Sequence, residues 1–97
     1  MTVRVVATLE PHPDEVAAME TYFGTAMPLL EDAGGKVIEQ FDVSHAVVGQ
    51  MVGTMIMIIE YPNLEAIDAV FGSEAYKAVI PTRDRAFKTY NINIITS

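Results

Sequence analysis

The sequence contains no cysteine at any of its 97 positions, and it contains no tryptophan. The absence of cysteine excludes disulfide frameworks, cysteine-ligated zinc, iron–sulfur clusters and thiol nucleophiles. Basic residues are also few, since 6 Lys and Arg stand against 13 Asp and Glu and give a net charge of −7. Nucleic acids and anionic membranes are bound by clustered positive charge, so this composition argues against both as main partners.

The sequence also lacks any apolar run long enough to cross a bilayer. Arg4 and Glu10 come too early for the apolar segment of a signal peptide. No repeat or low-complexity segment divides the chain. Because 51% of the residues are hydrophobic and only 20% are charged, we expect residues 1–97 to fold as one soluble, cytoplasmic domain.

Periodicity and turn signals predict two helical regions among four strands, in the order βαββαβ. In the first helix an apolar stripe runs from Val16 to Leu30, and Pro28 is expected to kink the helix or to end its regular part. The second helical region is interrupted at Gly72-Ser73 and is expected to bend at Pro81. The predicted strands are Thr2–Leu9, Lys36–Ser44, Met51–Glu60 and Thr89–Thr96, and the predicted helical pieces of the second region are 64–71 and 74–87.

This order predicts an α+β fold, a four-stranded antiparallel sheet with the helices on one face. In the second strand, Val37, Phe41 and Val43 are expected to share one face. In a sheet with one face in water, apolar and polar residues alternate along each strand. The third strand does not alternate in this way, because both of its faces are apolar. One face carries Met51, Met55, Met57 and Ile59, and the other carries Val52, Ile56 and Ile58.

The helices of so small a chain can cover only one face of the sheet. An uncovered apolar face favours aggregation, so the pattern predicts a symmetric homodimer with the sheets packed face to face. The alternative is that the register is shifted by one residue and that the strand is merely central in the sheet.

Three segments resemble a known family. An aromatic-Pro step and Leu-Glu-Ala lie in Glu60–Ala66, an aromatic, a Ser and a Tyr lie in Phe71–Tyr76, and an Arg ends Ile80–Arg83. Together with Gly34-Gly35 before the second strand, these motifs resemble the domain-of-unknown-function 1330 (DUF1330) family, which usually has Trp at the position of Phe71. The resemblance implies a ferredoxin-like fold of the dimeric α/β-barrel superfamily, and it implies no particular reaction.

Two residues within these motifs are candidates for holding a ligand. The planar guanidinium of Arg83 is suited to a carboxylate or an enolate, although an ion pair with Asp84 or a contact at the helix end is the structural alternative. The hydroxyl of Tyr76 is suited to orienting a substrate or to donating to an anion. Its structural alternative is a packed ring with one hydrogen bond.

Glu60 and His45 are the candidates for a general base. Glu60 ends the third strand at the edge of an apolar face, and His45 follows the second strand, where an imidazole titrates near neutral pH. The structural alternatives are a strand-end carboxylate in solvent and an ordinary loop histidine.

The remaining features allow two classes of function. One is a homodimer that binds a small, largely apolar molecule with an anionic or carbonyl group, with Phe71 and Met57 among the walls of its pocket. Any chemistry would then be cofactor-independent enolisation, isomerisation or oxygenation, with Arg83 stabilising an oxyanion. The other class is a non-enzymatic dimeric interaction or assembly module. No phosphate loop, dinucleotide fingerprint, nucleophile elbow or metal-binding spacing is present, so we expect neither a cofactor nor a metal.

Overall fold

The computed structural model describes residues 2–96. Their elements follow the predicted order, with the second helical region divided into three short helices. The elements are β1 (Val3–Pro11), α1 (Val16–Asp32), β2 (Lys36–Asp42), β3 (Met55–Tyr61), α2 (Leu64–Phe71), α3 (Glu74–Ala78), α4 (Ile80–Ala86) and β4 (Phe87–Ile95). The strands lie side by side in the order β2-β3-β1-β4, and every neighbouring pair is antiparallel. The predicted α+β fold with a four-stranded antiparallel sheet is therefore confirmed.

The core lies between the helices and one face of the sheet. Alternate residues of the two central strands are buried there, because side chains of one parity share a face. They are Val5, Ala7 and Leu9 of β1 and Met57, Ile59 and Tyr61 of β3. Tyr22 and Leu30 of α1 pack against them. This layer holds the side chains of the candidate site described below.

Among residues 2–96 no helix covers the opposite face of the sheet, which we call the open face. Val6 of β1 lies opposite Ile58 of β3, and Phe41 of β2 lies opposite Ile56. These four side chains are only partly buried or exposed, and 48% of Phe41 is exposed. The third strand is thus apolar on both faces, as its sequence predicts.

The third strand begins at Met55 and not at Met51. Residues 43–54 form an irregular loop that is tied to the sheet by Thr54, whose N–H donates to the Leu9 carbonyl at 2.8 Å. At Gly53 the two backbones approach so closely that a Cβ atom would lie 2.5 Å from the Leu9 carbonyl oxygen. Met51 and Val52 therefore lie in the loop, although their apolar character is typical of a strand.

A bulge in β2 separates residues that were expected to share a face. Val37 lies opposite Ile59 and Glu39 lies opposite Ile58, so Ile38 is an extra residue in this strand. Val37 consequently packs against the core, whereas Phe41 lies on the open face. The expectation that the two share one face was wrong, because a single inserted residue inverts the alternation that follows it.

The first helix does not end at Pro28 but continues to Asp32. Proline removes one backbone hydrogen bond and crowds the preceding turn, which disfavours the helix at this point. The residues beyond it are nevertheless held by the core, since only 7% of Leu30 is exposed. The N–H of Gly35 donates to the Leu30 carbonyl at 2.9 Å and closes the helix end.

Two glycine-to-alanine substitutions should change stability in opposite directions. Gly53→Ala forces the loop away from Leu9, so we expect the free energy of unfolding to fall by about 1–3 kcal/mol. Gly24→Ala is the control, because this exposed helical position has open space around it, and we expect a gain of about 0.5–1 kcal/mol. Urea unfolding of both variants measures the two changes, and equal stabilities would contradict the close approach at Gly53.

Candidate functional site

Two short helices place Tyr76 and Arg83 beside each other. The Ser73 hydroxyl oxygen accepts from the Tyr76 N–H at 3.1 Å and so caps α3 at its first turn. The helix stops at Val79, and Pro81 then lies in the first turn of α4, where its missing N–H costs little. The Arg83 N–H donates to the Val79 carbonyl at 2.9 Å, which connects the two helices through a tight bend.

A cluster of three tyrosine hydroxyls forms the polar centre of the core. The Tyr22 hydroxyl lies 2.9 Å from the Tyr76 hydroxyl and also hydrogen-bonds the Tyr90 hydroxyl. Nη1 of Arg83 donates to the Tyr76 hydroxyl at 3.1 Å. We call Tyr22, Tyr76, Tyr90 and Arg83 the tyrosine–arginine cluster. It joins α1, α3, α4 and β4.

Ring packing fixes the geometry of this cluster. The Tyr22 ring meets the rings of Tyr76 and Tyr90 edge to face, with centroids 6.1 Å and 5.4 Å away. The guanidinium carbon of Arg83 lies 5.9 Å from the Tyr76 ring centre and 5.4 Å from that of Tyr90. The cation is therefore held by two aromatic rings as well as by a hydrogen bond.

Burial favours the protonated form of two of these hydroxyls. Burial is the largest cause that raises the pKa of Tyr22, and burial likewise raises the pKa of Tyr90. Burial alone lowers the pKa of Arg83, but hydrogen bonds to Tyr76 and Asp84 outweigh it and leave that pKa raised. At neutral pH Tyr22 and Tyr90 are therefore neutral phenols, and Arg83 is a cation.

An open cleft of about 360 Å³ lies beside the cluster, at the edge of the sheet that β4 forms. Its walls are mainly apolar and include Val5, Ile67, Phe71, Ile92 and Ile94, with Tyr76, Tyr90 and Arg83 as their polar members. A second, much smaller cavity of about 30 Å³ lies within the core, and Met57, Phe71, Tyr61 and all three tyrosines of the cluster contribute to its lining. The cleft has room for a small molecule, whereas the cavity has room for about a water molecule.

The structure brings together the four residues predicted to bind a ligand. Arg83, Tyr76 and Phe71 line the cleft, and Met57 lines the adjoining cavity with Tyr76 and Phe71. The structural alternatives for Arg83 and Tyr76 are also present. Nη2 of Arg83 donates to a carboxylate oxygen of Asp84 at 3.1 Å, and only 2% of Tyr76 is exposed.

Neither predicted base lies at the cleft. Glu60 lies on the open face, where it accepts a hydrogen bond from Nε of Arg4 at 3.2 Å. His45 lies in the exposed loop, where its Nδ1 is 2.9 Å from the Ser44 hydroxyl. Within one chain these two groups are thus separated from Arg83.

Sequence reasoning missed Tyr22 and Tyr90. Tyr22 precedes Phe23 of the predicted stripe, and Tyr90 shares its parity with Ile92 and Ile94 in the last strand. Both patterns identify buried positions, but neither indicates which hydroxyls meet. The available signal was the parity of Tyr90, because it places that residue on the same face as the core.

A three-residue metal site and a membrane-spanning helix are both absent from residues 2–96. No three His, Asp or Glu side chains of this part of the chain come close enough to hold a metal ion. None of its helices has the length and apolar character needed to span a bilayer.

The βαββαβ order and an antiparallel sheet of strand order β2-β3-β1-β4 with helices on one face define a ferredoxin-like α+β protein. The tyrosine–arginine cluster lies between its two layers. The model of the family "domain of unknown function (DUF1330)" matches residues 5–96. The chain belongs to this family, as the resemblance of its motifs predicts. No curated protein matches the chain.

Solved structures share the fold. A protein of unknown function from Rhodopseudomonas palustris is 19% identical, with a TM-score of 0.83 over 99% of this chain and 82% of its own. A protein from Bacteroides fragilis, described as dimeric and ferredoxin-like, is 10% identical, with a TM-score of 0.62 over 99% of this chain and 96% of its own. A Caulobacter crescentus protein provisionally named an antibiotic biosynthesis monooxygenase is 16% identical, with a TM-score of 0.66 over 99% and 89%. At these identities the likeness concerns the fold.

Substitution of Tyr61 measures what a buried hydroxyl without a partner costs in stability. It is buried without a hydrogen-bond partner among the described residues, and burial raises the pKa of Tyr61 to about 12. Tyr61→Phe removes an unsatisfied group, so we expect the free energy of unfolding to stay equal or to rise by about 1 kcal/mol. Tyr22→Phe is the matched comparison. It deprives two hydroxyls of a partner and should cost about 1–3 kcal/mol.

Denaturant unfolding of the two variants gives both values. A loss in Tyr61→Phe as large as that in Tyr22→Phe would show that the Tyr61 hydroxyl is satisfied, for example by a water molecule in the small cavity.

Proposed function

We propose that the protein binds a small, largely apolar molecule through an anionic or carbonyl oxygen, in the cleft beside β4. The observation that carries this proposal is the position of Arg83 at an apolar cleft. Its guanidinium has five N–H groups, of which three are used by Tyr76 and Asp84. Two N–H groups therefore remain for a ligand, and 25% of the side chain is exposed.

The size and lining of the cleft support the same function. A volume of about 360 Å³ falls at the lower end of the range for small-molecule pockets. Apolar walls with a few convergent polar groups are the usual composition of such pockets, since the walls supply affinity and the polar groups set orientation. The only side-chain polar groups in this lining belong to Arg83, Tyr76 and Tyr90.

Chemistry on the bound molecule is a further part of the proposal. A guanidinium in an apolar cleft stabilises an oxyanion as negative charge develops, which suits cofactor-independent enolisation, isomerisation or oxygenation. The name of the Caulobacter crescentus neighbour includes the last of these reaction types. Glu60 and His45 do not line the cleft, so the geometry supports binding and polarisation more directly than proton abstraction by either residue.

We further propose that the chain forms a homodimer through the open face. The centre of this face is apolar, with Val6, Ile56, Ile58 and Phe41, while Arg4 and Glu60 lie beside it as an ion pair. A second copy presents the same apolar centre, which makes the face self-complementary under two-fold symmetry. The Bacteroides fragilis neighbour is described as dimeric, in agreement with this assembly. This face also favours the second candidate function, a non-enzymatic dimeric interaction module.

Replacing Arg83 tests the binding function. Para-fluorobenzoate is a suitable probe because it combines a carboxylate with an apolar ring, and fluorine NMR reports its dissociation constant. We expect Arg83→Met to weaken binding about 10- to 100-fold, because a charge-assisted hydrogen bond in a partly buried site is lost. Arg85→Met is the control, since Arg85 lies on the same helix, is 70% exposed and pairs with Glu15. Equal dissociation constants for both variants, with unchanged circular dichroism, would reject Arg83 as the anchor.

Replacing Phe41 tests the dimer. Phe41→Asp places a charge in each half of a symmetric apolar interface, so we expect the dimer dissociation constant to rise about 100-fold or more. The control is Leu64→Asp, which puts the same charge on an exposed apolar residue of α2, away from the open face. Sedimentation equilibrium measures both variants. A monomeric wild-type chain at micromolar concentration would exclude this assembly.

A further inference from the structure

The tyrosine–arginine cluster has one more hydroxyl hydrogen than its internal hydrogen bonds use. Three hydroxyls carry three hydrogens, but only two hydrogen bonds join them, one between Tyr22 and Tyr76 and one between Tyr22 and Tyr90. The Tyr76 oxygen also accepts from Arg83, which needs no hydroxyl hydrogen. One hydroxyl hydrogen is therefore left without a partner inside the cluster, whichever way the bonds point.

Arg83 fixes the direction of these bonds. A phenol oxygen that accepts from a cation becomes a weaker acceptor and a stronger donor, so Tyr76 donates to Tyr22. Tyr22 then has one hydrogen to give, and Tyr90 is its other hydrogen-bond partner among the described residues. The chain of donors runs from Arg83 through Tyr76 and Tyr22 to Tyr90.

Burial supports the same direction. Only 1% of Tyr22 and 2% of Tyr76 are exposed, so a hydrogen left over on either would depend on a water molecule in the small cavity that both residues line. Tyr90 is the least buried of the three, and its side chain lines the cleft. The unused hydrogen is thus least costly on Tyr90, where a ligand or solvent can accept it.

Resting on the proposed binding function, we infer that Tyr90, and not Tyr76, is the second ligand-binding residue of the cleft. Its hydroxyl donates, together with the free N–H groups of Arg83, to a ligand oxygen that carries no hydrogen of its own, as in a carboxylate or an enolate. Tyr22 is a positioning residue, because it directs the Tyr90 hydrogen without touching the ligand. An amine is disfavoured by the charge of Arg83, and an alcohol brings a donor to a site that already has an excess of donors.

The first arm of the test needs no ligand. Tyrosine labelled with carbon-13 at Cζ, observed by NMR in a mixture of H₂O and D₂O, reports how fast each hydroxyl hydrogen exchanges. We expect separate signals for the protonated and deuterated forms of Tyr22 and Tyr76, whose hydrogens are bonded internally, and one averaged signal for Tyr90. An averaged signal for Tyr76 with a split signal for Tyr90 would reverse the donor chain and overturn the inference.

The second arm uses para-fluorobenzoate, para-fluorobenzyl alcohol and para-fluorobenzylamine as matched probes. We expect the wild-type protein to prefer the carboxylate to the other two, and Tyr90→Phe to weaken carboxylate binding about tenfold. Tyr61→Phe is the control, because it removes a hydroxyl from the same core outside the cluster. A loss on Tyr76→Phe together with none on Tyr90→Phe would contradict the assignment.

The two arms separate this inference from the proposed function. If the wild-type protein binds none of the probes but shows the expected isotope pattern, the binding function fails and the donor chain is supported. If the carboxylate binds and Arg83→Met abolishes this, while Tyr90→Phe has no effect, the binding function stands and the role of Tyr90 is overturned. Tyr22→Phe adds a readout for positioning, because we expect the Tyr90 signal to change although Tyr22 remains outside the cleft lining.

Discussion

The hydroxyl of Tyr22 connects three elements that are distant from one another in the sequence. It hydrogen-bonds the hydroxyl of Tyr76, 54 positions away in the sequence, and that of Tyr90, 68 positions away. These bonds form inside the core, where only 1% of Tyr22 is exposed. A buried hydroxyl without a partner costs about 1–3 kcal/mol, so α1, α3 and β4 must pack at one mutual arrangement for all three hydroxyls to be satisfied. Apolar side chains alone would tolerate a wider range of packings. The position of Arg83 follows from this arrangement, because Tyr76 holds its guanidinium.

The charge distribution bears on the proposed binding of an anion by an acidic chain. The net charge is −7, yet within the described residues five of the six cations lie in ion pairs, each worth little at the surface. Salt screens the distant carboxylates over about 8–10 Å. An anion in the cleft is therefore governed by its nearest groups, and no carboxylate belongs to the cleft lining. Arg83 offers such an anion two N–H groups there, although Asp84 already pairs with its charge and the protein as a whole is acidic.

The sequence predicts the element order and the sheet, because alternation and helical stripes indicate which side chains are buried. It does not predict the β2 bulge or the late start of β3. Both depend on contacts between strands, such as the approach of Gly53 to Leu9, which no local pattern records. The same reason explains the site. Arg83, Tyr76, Phe71 and Met57 lie in a recognisable motif or in an apolar strand, whereas Tyr22 and Tyr90 become part of the site only through hydrogen bonds between distant segments.

The two apolar surfaces of this protein lie on opposite sides of the same sheet. The open face presents Ile56, Ile58 and Phe41, while the cleft uses Val5 and Ile92 on the helix side. A partner that covers the open face therefore leaves the cleft accessible, and a ligand in the cleft leaves the open face free. The proposed dimer interface and the proposed binding cleft thus lie on opposite sides of β1.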